Sequence, residues 1–167
     1  MRDQWETGVY WRAHRIPAPT DGAPRKIPAG AELFGPVERW RTVRDALKGL
    51  GEPSLARIKE SHWPQAGAKS YPGHTGSPLD EPAKALKAGD HGVPGGENML
   101  RYPDGSVRYF SVRESARIQT FPDDWKLAGS WSESMRQLGN AVPVRLGQVV
   151  ASSIFSALKP QPSTARV

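Results

Sequence analysis

Thirty-three of the 167 residues are glycine or proline. About one residue in five therefore interrupts a helix or a strand, above the usual share, so much of the chain must be loop. The breakers are clustered. "RIPAPTDGAPRKIPAG" (15–30) carries four prolines and two glycines, and residues 1–40 read as an irregular connector. "GDHGVPGGEN" (89–98) carries four glycines in ten residues and cannot form a regular element. Regular structure is confined to the stretches between.

Those stretches have clear signals. In "RTVRDALKGLGEP" (41–53) Thr42 and Asp45 fit a capping box, and Val43, Ala46, Leu47 and Leu50 make one apolar stripe. Gly51 suits the left-handed C-terminal position and Pro53 ends the run, so a helix is predicted, with a further helical turn over 54–61. Residues 62–98 are mostly loop, with "AKALKA" either a short strand or a helical turn. Two β-prone runs around Pro103-Asp104-Gly105 predict a hairpin over 99–110. Ser111 and Glu114 form a second capping box, opening a helix over 112–119 that stops before Phe121-Pro122. A short helix over 133–138 should end at Gly139. A last helix begins near Pro143, with Leu146, Val149, Val150, Ile154, Ala157 and Leu158 on one apolar face. Residues 160–167 read as a disordered tail.

The net charge is +6. A solvated basic surface and a polyanion partner such as nucleic acid both fit that balance. There is no cysteine, which removes disulfides, thiolate metal sites and any cysteine nucleophile. No apolar run reaches the ~18 residues of a membrane span and no signal peptide is visible, so a soluble, cytoplasmic protein without a membrane partner is expected.

Two phrases carry a resemblance. "SVRESARIQTFPDDW" (111–125) resembles the ninth conserved block of the cytosine-C5 DNA methyltransferases, roughly Thr-x-Arg-Glu-x-Ala-Arg-Leu-Gln-x-Phe-Pro-Asp. "RQLGNAVPVRLGQVVASSI" (136–154) resembles the tenth and last block, centred on Gly-Asn-Ala/Ser-Val. The order and spacing agree with the family. Upstream, "TVRDALKGL" is similar to the helix after the catalytic domain's last strands, and "SPLDEPAKALKAGDHGVPGGENM" to the glycine-rich end of the target-recognition region. The resemblance covers about residues 40–158.

It implies methyl transfer from S-adenosylmethionine to C5 of a cytosine swung out of duplex DNA. In the family a cysteine thiolate attacks C6, a glutamic acid assists, and the cofactor lies on a Phe-x-Gly-x-Gly loop. None of these parts is present. "GGEN" contains Glu97-Asn98, but Met99 follows, so it is not the catalytic Glu-Asn-Val. No catalytic residue and no metal site is assigned.

The resemblance therefore implies a loop-rich α+β chain: a target-recognition lobe with a β-hairpin (41–110), then C-terminal helices (111–159) that would complete an α/β S-adenosylmethionine-dependent domain. Its expected partners are duplex DNA and a separate N-terminal catalytic half, in a cytoplasmic, nucleoid-associated setting. Asn140, Ala141 and Val142 would form one side of a partial S-adenosylmethionine site, although the residues by themselves also fit a plain helix-to-helix turn. Lys84, Lys87, His91, Gly92, Gly95, Gly96, Arg101, Arg108 and Arg113 would face DNA, the cations neutralising phosphates. His91, alone in a loop, fits a solvated side chain as well as a base contact. Glu114, Arg117, Phe121 and Pro122 would be structural, with Arg117 placed to pair with Glu114. Ala85 stands where the family commonly has a phosphate-binding threonine. A non-catalytic DNA-binding module and an inactive remnant of a truncated gene are the alternatives.

Overall fold

The computed structural model describes residues 8–18, 41–88 and 96–158. The chain divides into two units, Met1–Trp40 and Arg41–Val167. In the first, Val9–His14 form a six-residue helix, α1, where irregular chain was expected. It buries Tyr10 and Trp11, whose rings meet edge to face at 4.8 Å. Left-handed residues bound it at Gly8 and Arg15. Residues 16–18 carry no regular element, while 1–7 and 19–40 of the expected connector, and the expected tail, lie outside the described residues.

The second unit is built on a small mixed sheet. Strand β1 (Ser77–Pro78) pairs parallel with β2 (Met99–Arg101), and β2 pairs antiparallel with β3 (Val107–Tyr109). The predicted hairpin is thus present. Its turn is closed by Gly105 N–H donating to the Tyr102 carbonyl at 3.0 Å, with Gly105 at φ 85°. Asp104 Oδ1 accepts from both the Ser106 amide and its hydroxyl.

The alternation of a strand sorts the apolar side chains into two cores. Met99 and Tyr109 point to one face, packing with Val112, Ala116, Trp131, Met135 and Leu138. Leu100 and Phe110 point to the other, with Val43 and Leu86. Trp131 joins the layers by donating Nε1–H to the Phe110 carbonyl at 3.0 Å.

The helices follow their caps. Helix α2 (Val43–Leu47) starts in the predicted Thr42/Asp45 box but stops well short of residue 53, because Lys48 leaves helical geometry and Gly49 is left-handed. Leu50 is still buried, and Gly51 is left-handed as expected. A 3-10 segment spans Leu55–Glu60, capped by the Ser54 hydroxyl. "AKALKA" forms neither a strand nor a helical turn.

Helix α3 (Val112–Ile118) has both halves of its capping box: Glu114 N–H donates to Ser111 Oγ at 3.1 Å and Ser111 N–H to Glu114 Oε2 at 2.8 Å. Helix α4 (Trp131–Asn140) is longer than predicted, since Ser130 caps it and Gly139 lies inside it rather than at its end. Helix α5 (Val144–Leu158) follows the break at 141–143 and has no buried residue. Trp131–Leu158 is long and apolar enough on average to resemble a membrane span. The break divides it, however, and α5 is only about 22 Å long against a hydrocarbon thickness of ~30 Å.

Candidate functional site

The ninth-block residues form a buried polar frame. Glu114 is fully buried and receives a two-pronged ion pair from Arg108, each contact 2.7 Å, beside its bond from the Ser111 amide. Arg108 also donates Nε–H to the Tyr102 hydroxyl at 2.8 Å and reaches Glu52 at 3.3 Å. Desolvation pulls its pKa down, but the bonds and charge of Glu114 outweigh that and raise it. Arg108, expected at DNA, is thus committed to protein acceptors. So is Arg113, only 3% exposed: its guanidinium donates to the carbonyls of Glu60, Pro122 and Trp125.

Arg117 does not pair with Glu114. It grips Asp123 at 2.6 and 2.7 Å and donates to the Lys48 carbonyl, tying α3 to the end of α2. The Asp123 bond raises the Arg117 pKa, and the Arg117 bond lowers that of Asp123. Phe121 packs against the first core as expected; Pro122 is exposed and acts as a stop.

The expected DNA-facing stretch is partly described. Lys84 donates to Thr75 Oγ1 and Lys87 to Glu97 Oε1, both at 3.1 Å. The Glu97 carboxyl lies below its ordinary value: desolvation would raise it, but its own backbone amide and Lys87 more than compensate. Arg101 is half-buried at the end of β2, and Gly96 opens a 3-10 turn ending at Asn98. His91, Gly92 and Gly95 lie outside the described residues.

Three features escaped the sequence reading. Asn98, 1% exposed, accepts the Lys87 N–H on Oδ1 at 3.2 Å and donates Nδ2–H to the Lys87 carbonyl at 3.1 Å, so one amide clips both ends of the glycine-rich stretch. His62 is fully buried between Gly51 and Ser111. Its Nε2–H donates to the Gly51 carbonyl at 3.2 Å, which leaves Nδ1 to accept the Ser111 hydroxyl at 2.7 Å. Burial lowers its pKa, against the raising charge of Glu114. Nothing local in the sequence marks either residue.

The third feature did leave a signal. After α3, Phe121 N–H bonds the Ala116 carbonyl and Thr120 N–H that of Arg117, the Schellman arrangement, with Thr120 left-handed at φ 60°. Glycine or asparagine is usual there. A β-branched residue costs about 1–2 kcal/mol.

The expected cofactor turn lies between α4 and α5. Asn140 and Val142 are exposed and Ala141 half-buried. Gln119 holds the turn from beneath: its Nε2–H donates to the Leu138 carbonyl at 2.9 Å, and its own carbonyl accepts the Val144 N–H at 3.0 Å. Before the turn, α4 presses on the backbone of Lys87 and Ala88. A Cβ on Gly139 would lie 2.3 Å from the Ala88 nitrogen, so glycine is required by close approach rather than by a turning backbone. A cavity of about 420 Å³ opens beside these elements, with Arg41, Lys84, Arg117, Gln119 and Ala141 in its wall. Among the described residues no cluster could hold a metal ion. The open turn, offering an amide side chain and an apolar one, suits one edge of an organic cofactor such as S-adenosylmethionine.

The described lobe is a small α+β unit with a buried polar frame and an open turn that leads into an exposed apolar helix. The chain belongs to the C-5 cytosine-specific DNA methylases, whose family pattern matches residues 37–156. It is 40% identical over 86 residues to the type II methyltransferase M.AplI of Arthrospira platensis, covering 51% of this chain and 25% of that protein. To M.Sau96I of Staphylococcus aureus it is 40% identical over 79 residues, 47% of this chain and 17% of the relative. To M.AgeI of Thalassovita gelatinovora it is 34% identical over 121 residues, 72% of this chain and 26% of the relative. The chain thus spans about a quarter or less of the curated relatives it matches.

Proposed function

We propose that this chain is the C-terminal portion of a DNA (cytosine-5-)-methyltransferase of restriction-modification type, acting on DNA in the cytoplasm. It binds duplex DNA and completes an S-adenosylmethionine pocket, while the nucleophilic cysteine comes from outside these 167 residues, on an N-terminal half. The observation that carries the reading is α5. Leu146, Val149, Val150, Ile154 and Leu158 are each about half exposed or more, from 49% to 77%. Five large apolar side chains in one stripe are too many to leave in water, at roughly 1.5–3 kcal/mol for each one fully buried. A partner with an apolar sheet or helix face would cover them.

The division of labour follows from the residues. Lys84, Lys87 and Arg101 neutralise phosphates, and His91, Gly92, Gly95 and Gly96 add to the DNA contact. Arg108 and Arg113 hold the lobe itself together, Arg108 through Glu114 and Arg113 through the carbonyls of Glu60, Pro122 and Trp125. Asn140, Ala141 and Val142 line one side of the cofactor, which when bound supplies the methyl group. Cytosine C5 is a weak nucleophile, so a thiolate must first add at C6, and the chain has none.

Co-expression of the full chain with an N-terminal segment carrying the glycine loop and the Pro-Cys dipeptide should yield new 5-methylcytosine by bisulfite sequencing. A stable complex that leaves DNA unmethylated would refute the proposal and favour a non-catalytic DNA-binding module.

A further inference from the structure

Thr120 holds a backbone conformation that a β-branched residue avoids, and such strain persists only where its surroundings enforce it. The reason lies across the cofactor turn. The Thr120 hydroxyl accepts the Arg145 N–H at 2.8 Å, and the neighbouring Gln119 carbonyl accepts the Val144 N–H at 3.0 Å. The first amides of a helix have no partner within it and are normally met by the residue just before it. For α5 that residue is Pro143, whose side chain can accept nothing. The end of α3 supplies the missing cap, 25 residues earlier in the chain.

We propose that Thr120 is a positioning residue for the Asn140–Val142 turn. Its left-handed backbone places the hydroxyl where it replaces the absent cap of α5. The turn is then pinned at both ends, by Gln119 at Leu138 and Val144 and by Thr120 at Arg145. A glycine at 120 would satisfy the Schellman turn with less strain and could not cap. The assignment of the turn to the cofactor rests on the proposed function; the pinning does not.

The test is amide hydrogen exchange on the full chain and on Thr120→Gly, Thr120→Ser and Thr120→Val. Glycine should leave exchange at Leu100 and Phe110 unchanged or slower, since strain is relieved. It should speed exchange at Val144 and Arg145 about fivefold or more, the factor expected for one lost hydrogen bond. Serine keeps the hydroxyl and should retain wild-type protection; valine keeps the shape and should behave like glycine at the turn. Glycine or valine variants as slow as wild type at Val144 and Arg145 would overturn the proposal. So would acceleration spread equally over the core. In the complemented enzyme, Thr120→Gly should raise KM for S-adenosylmethionine severalfold with KM for DNA unchanged. Unchanged cofactor KM in an active pair whose turn exchanges faster would overturn the assignment of the turn to the cofactor. Wild-type chain that gains no activity on complementation counts instead against the split-enzyme reading, and the exchange rates still decide the role of Thr120.

Discussion

Two helical glycines give a paired test in which intrinsic propensity and packing predict opposite signs. Alanine is favoured over glycine inside a helix by about 0.8–1 kcal/mol. At Gly147 in α5 an added Cβ meets nothing within 4 Å, so Gly147→Ala should stabilise the chain by nearly that amount. At Gly139 in α4 the same Cβ would fall 2.3 Å from the Ala88 nitrogen, 2.6 Å from the Lys87 carbonyl carbon and 2.9 Å from the Ala88 Cα. Ordinary contact begins near 3.4 Å, and all three atoms belong to backbone, so no rotamer change relieves the overlap. Overpacking of this kind costs about 1–3 kcal/mol. Less the propensity gain, Gly139→Ala should destabilise by up to about 2 kcal/mol. For a chain of this length each kcal/mol moves the melting temperature by about 2–4 °C. Urea and thermal unfolding of both variants give the comparison. Equal stabilisation by both substitutions would refute the close approach of α4 to the Lys87–Ala88 backbone.

Glu114→Gln leaves Arg108 without its carboxylate in a mostly buried site, and should cost about 3–5 kcal/mol in urea unfolding; a loss under 1 kcal/mol would mean that Arg108 finds water instead. His62 has its folded pKa lowered from 6.5, chiefly by burial, with Glu114 opposing and Arg57 and Arg108 assisting. The unfolded chain therefore binds the proton more readily, so stability should be full above about pH 7 and fall as pH drops through 6.5, levelling near the folded pKa. Urea midpoints between pH 5 and 8 should show this slope in the wild type and lose it in His62→Gln; parallel curves would assign the slope to another group. Lys87→Ala should weaken binding to all duplexes alike and reduce the slope of log affinity against log salt by about 0.9, as for one phosphate contact. An unchanged slope would mean that Lys87 stays with Glu97.

The local grammar was legible where capping and turn chemistry dominate. Thr42/Asp45, Ser111/Glu114 and Pro103-Asp104-Gly105 each mark an element that forms as their side chains dictate. What depends on distant partners was not. Arg108 and Arg113 read as surface cations because charge carries no address; only folding brings Glu114 and the 60, 122 and 125 carbonyls to them. Glycine at 139 reads as a helix end, since sequence alone cannot separate a turning backbone from a crowded one. The α1 helix was lost among the prolines that follow it. The two family-like blocks announced the candidate site, whereas Asn98 and His62 work through single long-range bonds with no periodic trace.

The Asn98 clip has a consequence for how the lobe tolerates change in its sequence. Ten residues separate Lys87 from Asn98, and one side chain fixes both of their anchor points. Register of the scaffold is then set by this clip and not by the length of chain it closes, since doubling a loop adds only about 0.6 kcal/mol of closure entropy. Under the proposed function, substitutions between the two anchors would alter the DNA contact without rebuilding the protein that carries them.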